Sequence, residues 1–270
     1  MADAEITEKA DCLIAYIEQE RLAVHGLEVW NAGSLVKSWG NTTDRFSLYS
    51  VTKSLVSLAF GIAEAEGVIK LTDRILDVPL ERLLTMSIPG LPFRPEGDNW
   101  LSFCAGLDYP LEKRGFCYSN INAYLVAVAL ENALGRPLYD YLTEKLFAPL
   151  GIEKPPYQTS PEGHFNGASG MEMSVGELSR IGRMLMNGGR SDGKQIVPEA
   201  YVSRATGVQQ MNREGGYGYF FWKFLDGFSL NGKWGQKCYC LPESGVMISF
   251  LSDLADGTGE LKEKVTEMIN

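Results

Sequence analysis

The spacing of apolar residues changes twice along the 270-residue chain, and this constrains the fold more than any other feature of the sequence. Residues 22–39 and 217–251 contain strand-forming segments separated by turn residues, which is typical of antiparallel sheets. Between them, and at both chain ends, apolar residues recur at three- and four-residue spacings, which is typical of helices. We therefore predict an α/β fold of the α+β type, with an antiparallel sheet built from both chain ends and flanked by helices.

The same pattern predicts the organisation of a single domain, residues 1–270. A sheet lobe comprises residues 1–49 and 205–270, and a mostly helical lobe, residues 50–204, is inserted between them. Capping and stop signals predict helices at 51–66, 120–135, 138–147 and 174–187, and a Pro- and Gly-rich loop at 87–116. In the final segment, turns at 226–227, 231–232 and 242–245 separate four predicted strands: one at 219–222, one between the first two turns, one at 234–241 and one at 246–251.

Ser50 lies where a loop ends and an apolar helix begins. A helix N-terminus presents free backbone N–H groups, so negative charge that develops on a side chain there is stabilised. Lys53 follows one turn later on the same face, close enough for its amine to take the Ser50 proton. The two residues are thus a candidate nucleophile and base. The alternative interpretation is that Ser50 caps the helix and that Lys53 is a solvated residue of the first turn.

The Ser-x-x-Lys spacing by itself does not identify a site, because it occurs at two other places in the chain. Ser34 and Lys37 lie in a predicted hairpin, and Ser191 and Lys194 lie in a turn flanked by glycines. Only the copy at Ser50 opens an apolar helix.

Two further segments carry side chains with suitable chemistry. Tyr118-Ser119-Asn120 precedes a predicted helix, and a phenol can act as a general acid or base if neighbouring cations lower its pKa from about 10. The alternative interpretation is that this segment only starts the helix, with Ser119 or Asn120 as the cap. Lys233-Trp234-Gly235 stands at the head of a predicted strand, where a solvated lysine is the simpler interpretation.

Taken together and in this order, the three segments resemble those of the serine β-lactamase and penicillin-binding-protein superfamily, and most closely its class C β-lactamase-like branch. The resemblance covers nearly the whole chain, from the hairpin before Ser50 to the strand that begins at Val246. Similar local sequences include Leu83-Leu84-Thr85-Met86 and Ala148-Pro149-Leu150-Gly151.

The resemblance implies a catalytic role for each of these polar side chains. Ser50 would be the acyl-accepting nucleophile, Lys53 and Tyr118 would handle protons, and Asn120 would orient the reacting groups. Lys233 would add positive charge. Two lysines near one phenol would favour its anion, which would bring the pKa values of amine and phenol toward each other.

The resemblance also implies where the oxyanion hole would lie. Its donors would be the backbone N–H groups of Ser50 and of Gln236, the residue that follows Gly235. Gln236, Trp234 and Gly235 are therefore predicted to contact the substrate.

Trp234 departs from the pattern of the superfamily. The middle residue of the third motif is usually Thr or Ser, whose hydroxyl helps to hold a substrate carboxylate, and an indole cannot replace it. We therefore predict a serine hydrolase that cleaves a small ester or amide. The alternatives are a true β-lactamase or D,D-peptidase, or a non-catalytic binding or sensing relative. The presence of Ser50, Lys53, Tyr118 and Lys233 together favours the enzyme.

Composition limits the partners of the protein. The formal charge of −9 and the isoelectric point near 4.9 disfavour phosphate-rich surfaces, so we expect no nucleic acid and no membrane partner. A small-molecule ester, amide or lactam is the expected substrate. The first residues lack the basic and apolar regions of a signal peptide, which predicts a cytoplasmic protein.

Other kinds of site have little support in the sequence. The five cysteines are an odd number without a framework spacing, and Cys238 and Cys240 are predicted to be buried thiols rather than metal ligands. His25 and His164 do not suggest a Ser-His-Asp triad, since no Gly-x-Ser-x-Gly elbow is present. We find no phosphate-binding loop and no metal-ligand spacing, and we predict no cofactor and no metal.

Overall fold

A six-stranded sheet forms the centre of the computed structural model, which describes residues 2–256 and 258–269. Its strands are β1 Val24–Asn31, β2 Ser34–Gly40, β9 Trp222–Phe224, β10 Gly227–Gly232, β11 Gln236–Leu241 and β12 Val246–Ser252. They lie in the order β2-β1-β12-β11-β10-β9, and every neighbouring pair is antiparallel. The two chain ends meet where β1 pairs with β12. The predicted fold class is confirmed.

Most helices begin and end close to the predicted boundaries. The helices are α1 Asp3–Gln19, α2 Val51–Ala65, α3 Leu80–Leu84, α4 Trp100–Ala105, α5 Asn120–Leu134, α6 Leu138–Leu142, α7 Val175–Met186, α8 Glu199–Thr206 and α9 Thr258–Ile269. The helix predicted at 138–147 is α6 continued by a π-helical segment, Thr143–Phe147. Short strands β3 Phe46–Ser47 and β6 Glu172–Met173 pair with each other, as do β4 Arg74–Ile75 with β5 Val78–Pro79 and β7 Arg190–Ser191 with β8 Lys194–Gln195. None of the described helices is both long and apolar enough to cross a membrane.

Helices cover both faces of the sheet. On one face α1 and α9 pack against alternate strand residues such as Ile248 and Phe250. On the other face α2 and α7 pack against the intervening residues such as Met247 and Leu251. Because side chains alternate along a strand, covering both faces buries every residue of β12. The helix α7 thus belongs to the predicted helical lobe in sequence but packs on the sheet.

The helix α2 lies at the middle of the larger core. Every residue from Val51 to Ala63 is buried, including Lys53 and the polar residues Thr52, Ser54 and Ser57. A helix that is buried all round has no solvated face, so its lysine cannot be a solvated residue of the first turn. This environment sets the chemistry of Lys53.

Three local predictions are wrong. Asn231-Gly232 is not a turn, because these residues end β10, and the turn is a 3-10 segment at Lys233–Gly235. The predicted strand at 219–222 is mostly irregular, since Phe220 has a φ of 65° and β9 starts only at Trp222. The predicted loop at 87–116 contains the helix α4, which Asn99 caps by accepting a hydrogen bond from the Ser102 N–H.

Two predictions in the same regions are confirmed. Ser174 and Glu177 form a reciprocal capping box at the start of α7. Cys238 and Cys240 are buried free thiols on one face of β11, with their Sγ atoms 3.7 Å apart.

Candidate active site

Ser50 precedes α2 in a conformation that frees its hydroxyl from capping the helix. Its side chain accepts no hydrogen bond from the first turn, and Lys53 Nζ lies 2.9 Å from its Oγ. The preceding residue, Tyr49, has a φ of 46°, which is unusual for a bulky side chain. The chain therefore makes a sharp turn that presents Ser50, and the capping interpretation does not describe this residue.

The Lys53 amine is buried between two oxygen atoms. Its Nζ contacts Ser50 Oγ and donates a hydrogen bond to the backbone carbonyl of Ala168, at 2.8 Å. The side chain is 1% exposed, and no carboxylate of the described residues forms an ion pair with it. Burial lowers the pKa of the Lys53 amine from 10.5 to about 7. A substantial fraction of the amine is therefore neutral at physiological pH and able to accept a proton.

Tyr118 approaches the same pair from the loop before α5. Its side chain interacts with Ser50, and Lys53 Nζ lies 5.1 Å from the centre of its ring. Burial raises the pKa of the Tyr118 phenol to about 12, although the interaction with Ser50 lowers it. The expectation that neighbouring cations would favour the phenolate is wrong for this geometry, because burial dominates and the hydroxyl stays protonated at neutral pH.

Lys233 is not part of the group formed by Ser50, Lys53 and Tyr118. Its side chain is exposed, and its Nζ lies 4.4 Å from the centre of the Trp234 ring, in a cation–π contact. The second lysine that was expected beside the phenol is thus directed onto the indole. The reason is the turn at 233–235, which places Lys233 beyond the end of β10 and not within a strand.

Trp234 packs on the residue before Ser50. It has a φ of 60° and is 37% exposed, and its ring contacts the Tyr49 ring edge-on at 5.1 Å between centroids. Ser252 holds this turn by donating its hydroxyl to the carbonyls of Trp234 and Gly235, at 2.7 and 3.0 Å. The large apolar side chain is therefore partly exposed and held against Tyr49.

Gly235 and Gln236 support that turn from inside. Gly235 has a φ of 87°, and a Cβ at this position would lie 2.3 Å from Ser252 Oγ, so only glycine fits. The Gln236 side chain donates to the carbonyls of Lys233 and Ser252 and is 1% exposed. Gln236 begins β11, opposite Gly232.

Gly232, at the end of β10, is a residue that the sequence did not single out. A Cβ on Gly232 would lie 2.3 Å from the carbonyl oxygen of Leu48, which is two residues before Ser50. The end of β10 therefore packs directly on the segment that presents the nucleophile. The pair Asn231-Gly232 is typical of a hairpin turn, so the sequence pattern did not indicate this contact.

Asn120 occupies the first position of α5. Its N–H donates to the carbonyl of Phe93 at 2.7 Å, while its Oδ1 is buried and accepts no hydrogen bond from the described residues. The hydroxyl of Ser119, which caps α5, donates to the carbonyl of Pro92. The loop at 87–116 is thus fastened to the Tyr118 segment.

Aromatic side chains that the sequence did not assign to the site surround Tyr118. The ring centroids lie 5.5 Å from Trp222, 6.4 Å from Tyr217 and 6.5 Å from Phe93. Trp222 and Tyr217 also contact each other, and Phe93 is 60% exposed. Tyr217 and Trp222 lie in the segment from residue 217 onward, where aromatic residues predicted a strand. Only the folded chain places them around the Tyr118 phenol.

The fold and this arrangement of serine, buried lysine and tyrosine define a class: proteins with the serine hydrolase fold of β-lactamases and transpeptidases. The chain belongs to the β-lactamase family, whose sequence profile matches residues 15–268. The resemblance drawn from the three motifs is therefore confirmed. No match was found among curated proteins.

Solved structures with the same fold share little sequence with this chain. A β-lactamase from Mycobacterium bovis is 20% identical with a TM-score of 0.71, over 94% of this chain and 99% of that one. A Bacteroides dorei protein assigned as a β-lactamase is 19% identical with a TM-score of 0.80, over 97% and 98%. A Bacillus anthracis protein assigned as a 6-aminohexanoate-dimer hydrolase is 18% identical with a TM-score of 0.74, over 93% and 79%.

Proposed function

We propose that this protein is a serine hydrolase that forms an acyl-enzyme on Ser50 and cleaves a small ester or amide. The observation that carries the proposal is the buried Lys53 amine, with a pKa of about 7, at 2.9 Å from Ser50 Oγ. A general base works best when its pKa lies near the working pH, and this amine meets that condition. A similar fold in a protein assigned as a 6-aminohexanoate-dimer hydrolase agrees with the proposal.

Acylation follows from the positions of three side chains. Neutral Lys53 accepts the proton of Ser50 as Oγ attacks the carbonyl carbon of the substrate. The bond from that carbon to the leaving group then breaks, and the Tyr118 hydroxyl gives its proton to the leaving group while it receives one from the Lys53 ammonium. Water subsequently attacks the carbonyl carbon of the Ser50 ester as neutral Lys53 accepts its proton. The bond between this carbon and Ser50 Oγ then breaks, Lys53 returns the proton to Oγ, and the carboxylic acid product leaves.

The negative charge of the tetrahedral intermediate requires backbone donors. The N–H of Ser50, at the start of α2, is the first, and no described backbone carbonyl accepts it. The second donor is predicted to be the backbone N–H of Gln236, which begins β11 opposite Gly232. The unpaired Oδ1 of Asn120 supports the predicted orienting role of that residue.

A serine-reactive probe tests the nucleophile. We expect a fluorophosphonate to attach to Ser50, because among the described residues only this serine has a buried amine at its hydroxyl. Intact mass spectrometry should show one adduct, and peptide mapping should place it on Ser50. Ser34 and Ser191 are matched controls, since they have the same spacing to a lysine but lie on β2 and β7. Adducts on either control serine, or an adduct that persists in Ser50→Ala, would contradict the assignment.

The substrate is proposed to be uncharged and apolar near the scissile bond. Trp234 and Phe93 present exposed aromatic faces beside Tyr49 and Tyr118, respectively. Lys233, which could attract a carboxylate, is held over the indole. Apolar faces bind apolar groups, and a carboxylate would lack the hydroxyl that orients it in β-lactam-processing relatives.

We expect kcat/KM for short-chain aryl esters to exceed that for any penicillin or cephalosporin by at least about tenfold, since a charge-assisted hydrogen bond is worth roughly 1.5–3 kcal/mol. Trp234→Thr should narrow the gap by improving reaction with carboxylate-bearing lactams, with ester cleavage similar or lower. Trp39→Thr, on β2, is the matched control and should leave the ratio unchanged. A native protein that turns over a cephalosporin faster than every neutral ester would instead be a β-lactamase.

A further inference from the structure

A second cavity lies at the end of the sheet opposite Ser50. It has a volume of about 550 Å³ and is formed by the β1–β2 turn, the β11–β12 turn and the C-terminal half of α7. Strand β12 runs from Val246, beside this cavity, to Ser252, which holds the Trp234 turn. Seven strand residues span about 20 Å, so the cavity is separate from the proposed active site.

The floor of the cavity is apolar. Met184 and Met247 are buried beneath it, and the partly exposed Trp30 and Met186 line its surface. A volume of this size is within the range of small-molecule sites. Trp30 and Met186 can therefore contact the apolar part of a small organic ligand.

The walls of the cavity are basic. Arg180, Arg183 and Arg190 line it, and Asp192 is the one carboxylate among the lining residues of the described chain. None of the three guanidinium groups forms an ion pair with a carboxylate of the described residues. All three side chains are exposed, so their guanidinium groups are accessible to an anionic ligand.

Two of these arginines are held in place by neighbours that do not neutralise them. The Arg183 guanidinium lies 4.1 Å from the centre of the Trp30 ring, whose Nε1 donates to Glu28 at 2.9 Å. Arg180 donates to the carbonyl of Gly151. A guanidinium stacked on an aromatic face keeps its N–H edge available, and that edge matches the two oxygens of a carboxylate.

We propose that this cavity binds a small organic carboxylate with a flat apolar body. The carboxylate pairs with Arg183 and Arg190 at the wall, and the apolar body lies against Trp30 and Met186. Charge of one sign that lines a concave site raises the local concentration of the opposite ion, so affinity falls as salt is added. The proposal does not depend on the hydrolase activity.

Isothermal titration calorimetry with 2-naphthoate tests the proposal on the full-length protein. We expect saturable binding at low salt, and at least tenfold weaker binding of the neutral analogue 2-naphthalenemethanol. Arg183→Gln combined with Arg190→Gln should weaken binding of 2-naphthoate at least tenfold. Arg21→Gln, at an exposed arginine outside the cavity, is the matched control and should change the affinity less than twofold.

Further variants locate the bound probe and guard against misfolding. Ser50→Ala should bind 2-naphthoate with the wild-type affinity, because the cavity lies far from that residue. Arg190→Gln alone, at an exposed position, should weaken binding measurably even if the double variant does not fold. The proposal is overturned if the neutral analogue binds equally well, if both arginine variants keep the wild-type affinity, or if Ser50→Ala abolishes binding.

Discussion

Replacing Lys53 by methionine is expected to reduce kcat by about 10³-fold while making the protein more stable. The activity is lost because the base that accepts the Ser50 proton is removed, and positioned bases contribute about 10²–10⁴-fold. Steady-state hydrolysis of an activated aryl ester measures this loss. Lys53→Arg is expected to inactivate as well, since a guanidinium stays charged and cannot accept the proton.

The gain in stability has a separate cause, which is the cost of burying an amine. A pKa lowered from 10.5 to about 7 corresponds to roughly 4 kcal/mol of unfavourable free energy at neutral pH, at about 1.4 kcal/mol per pKa unit. The side chain is 1% exposed, so solvent screening reduces this little. Loss of the hydrogen bonds to Ser50 and Ala168 offsets about 1 kcal/mol each, which leaves a net gain of about 2 kcal/mol.

The gain should depend on pH in a defined direction. The folded state has the lower pKa, so between pH 7 and 10.5 the unfolded chain binds more protons at Lys53. Wild-type stability from this residue therefore rises with pH across that window, and the advantage of Lys53→Met shrinks. Urea denaturation at pH 6, 8 and 10 measures the difference in unfolding free energy between Lys53→Met and the wild type.

Lys194→Met is the matched control for Lys53→Met. Lys194 follows Ser191 by the same spacing, but it is exposed on β8, so neither activity nor stability should change appreciably. A wild-type level of activity in Lys53→Met would show that another group takes the Ser50 proton. A loss of stability that is constant with pH would show that Lys53 is not a buried neutral amine.

Tyr118→Phe is expected to reduce turnover by about 100-fold or more, because the hydroxyl that contacts Ser50 passes the proton to the leaving group. The ring stays in place among its aromatic neighbours, so the loss should appear in kcat with little change in stability. Tyr217→Phe is the matched control: it removes a hydroxyl from a ring 6.4 Å away, and activity should change less than about threefold.

The pH profile distinguishes the role of Tyr118 from that of Lys53. In the wild type, kcat/KM should rise with pH up to about 7, as Lys53 loses its proton, and then stay level to pH 10 because the Tyr118 pKa is about 12. In Tyr118→Phe, kcat/KM should still rise up to about pH 7, but it should level off at a lower value. If this rise near pH 7 disappears in the variant, the titration belongs to the Tyr118 phenol instead.

The sequence by itself determined the class of fold and the candidate reacting side chains. Strand formers at both chain ends and helical spacing between them predicted the sheet and its flanking helices, because hydrophobic periodicity is a local property. The position of Ser50 at the start of an apolar helix and the spacing to Lys53 are also local. The helix boundaries at 174–187 followed from a capping box that the structure contains.

The tertiary structure decided what those side chains can do. Lys53 is neutral enough to act as a base because the folded chain buries it against Ala168, 115 residues away. Tyr118 stays protonated because Tyr217 and Trp222, from the far end of the sequence, enclose its ring. A pKa depends on burial and on neighbours that are distant in sequence. The motif spacing alone therefore predicted the wrong direction for the pKa shift of the Tyr118 phenol. The same reason explains Lys233, whose place on Trp234 was set by a turn that only the packing of β10 against Leu48 defines.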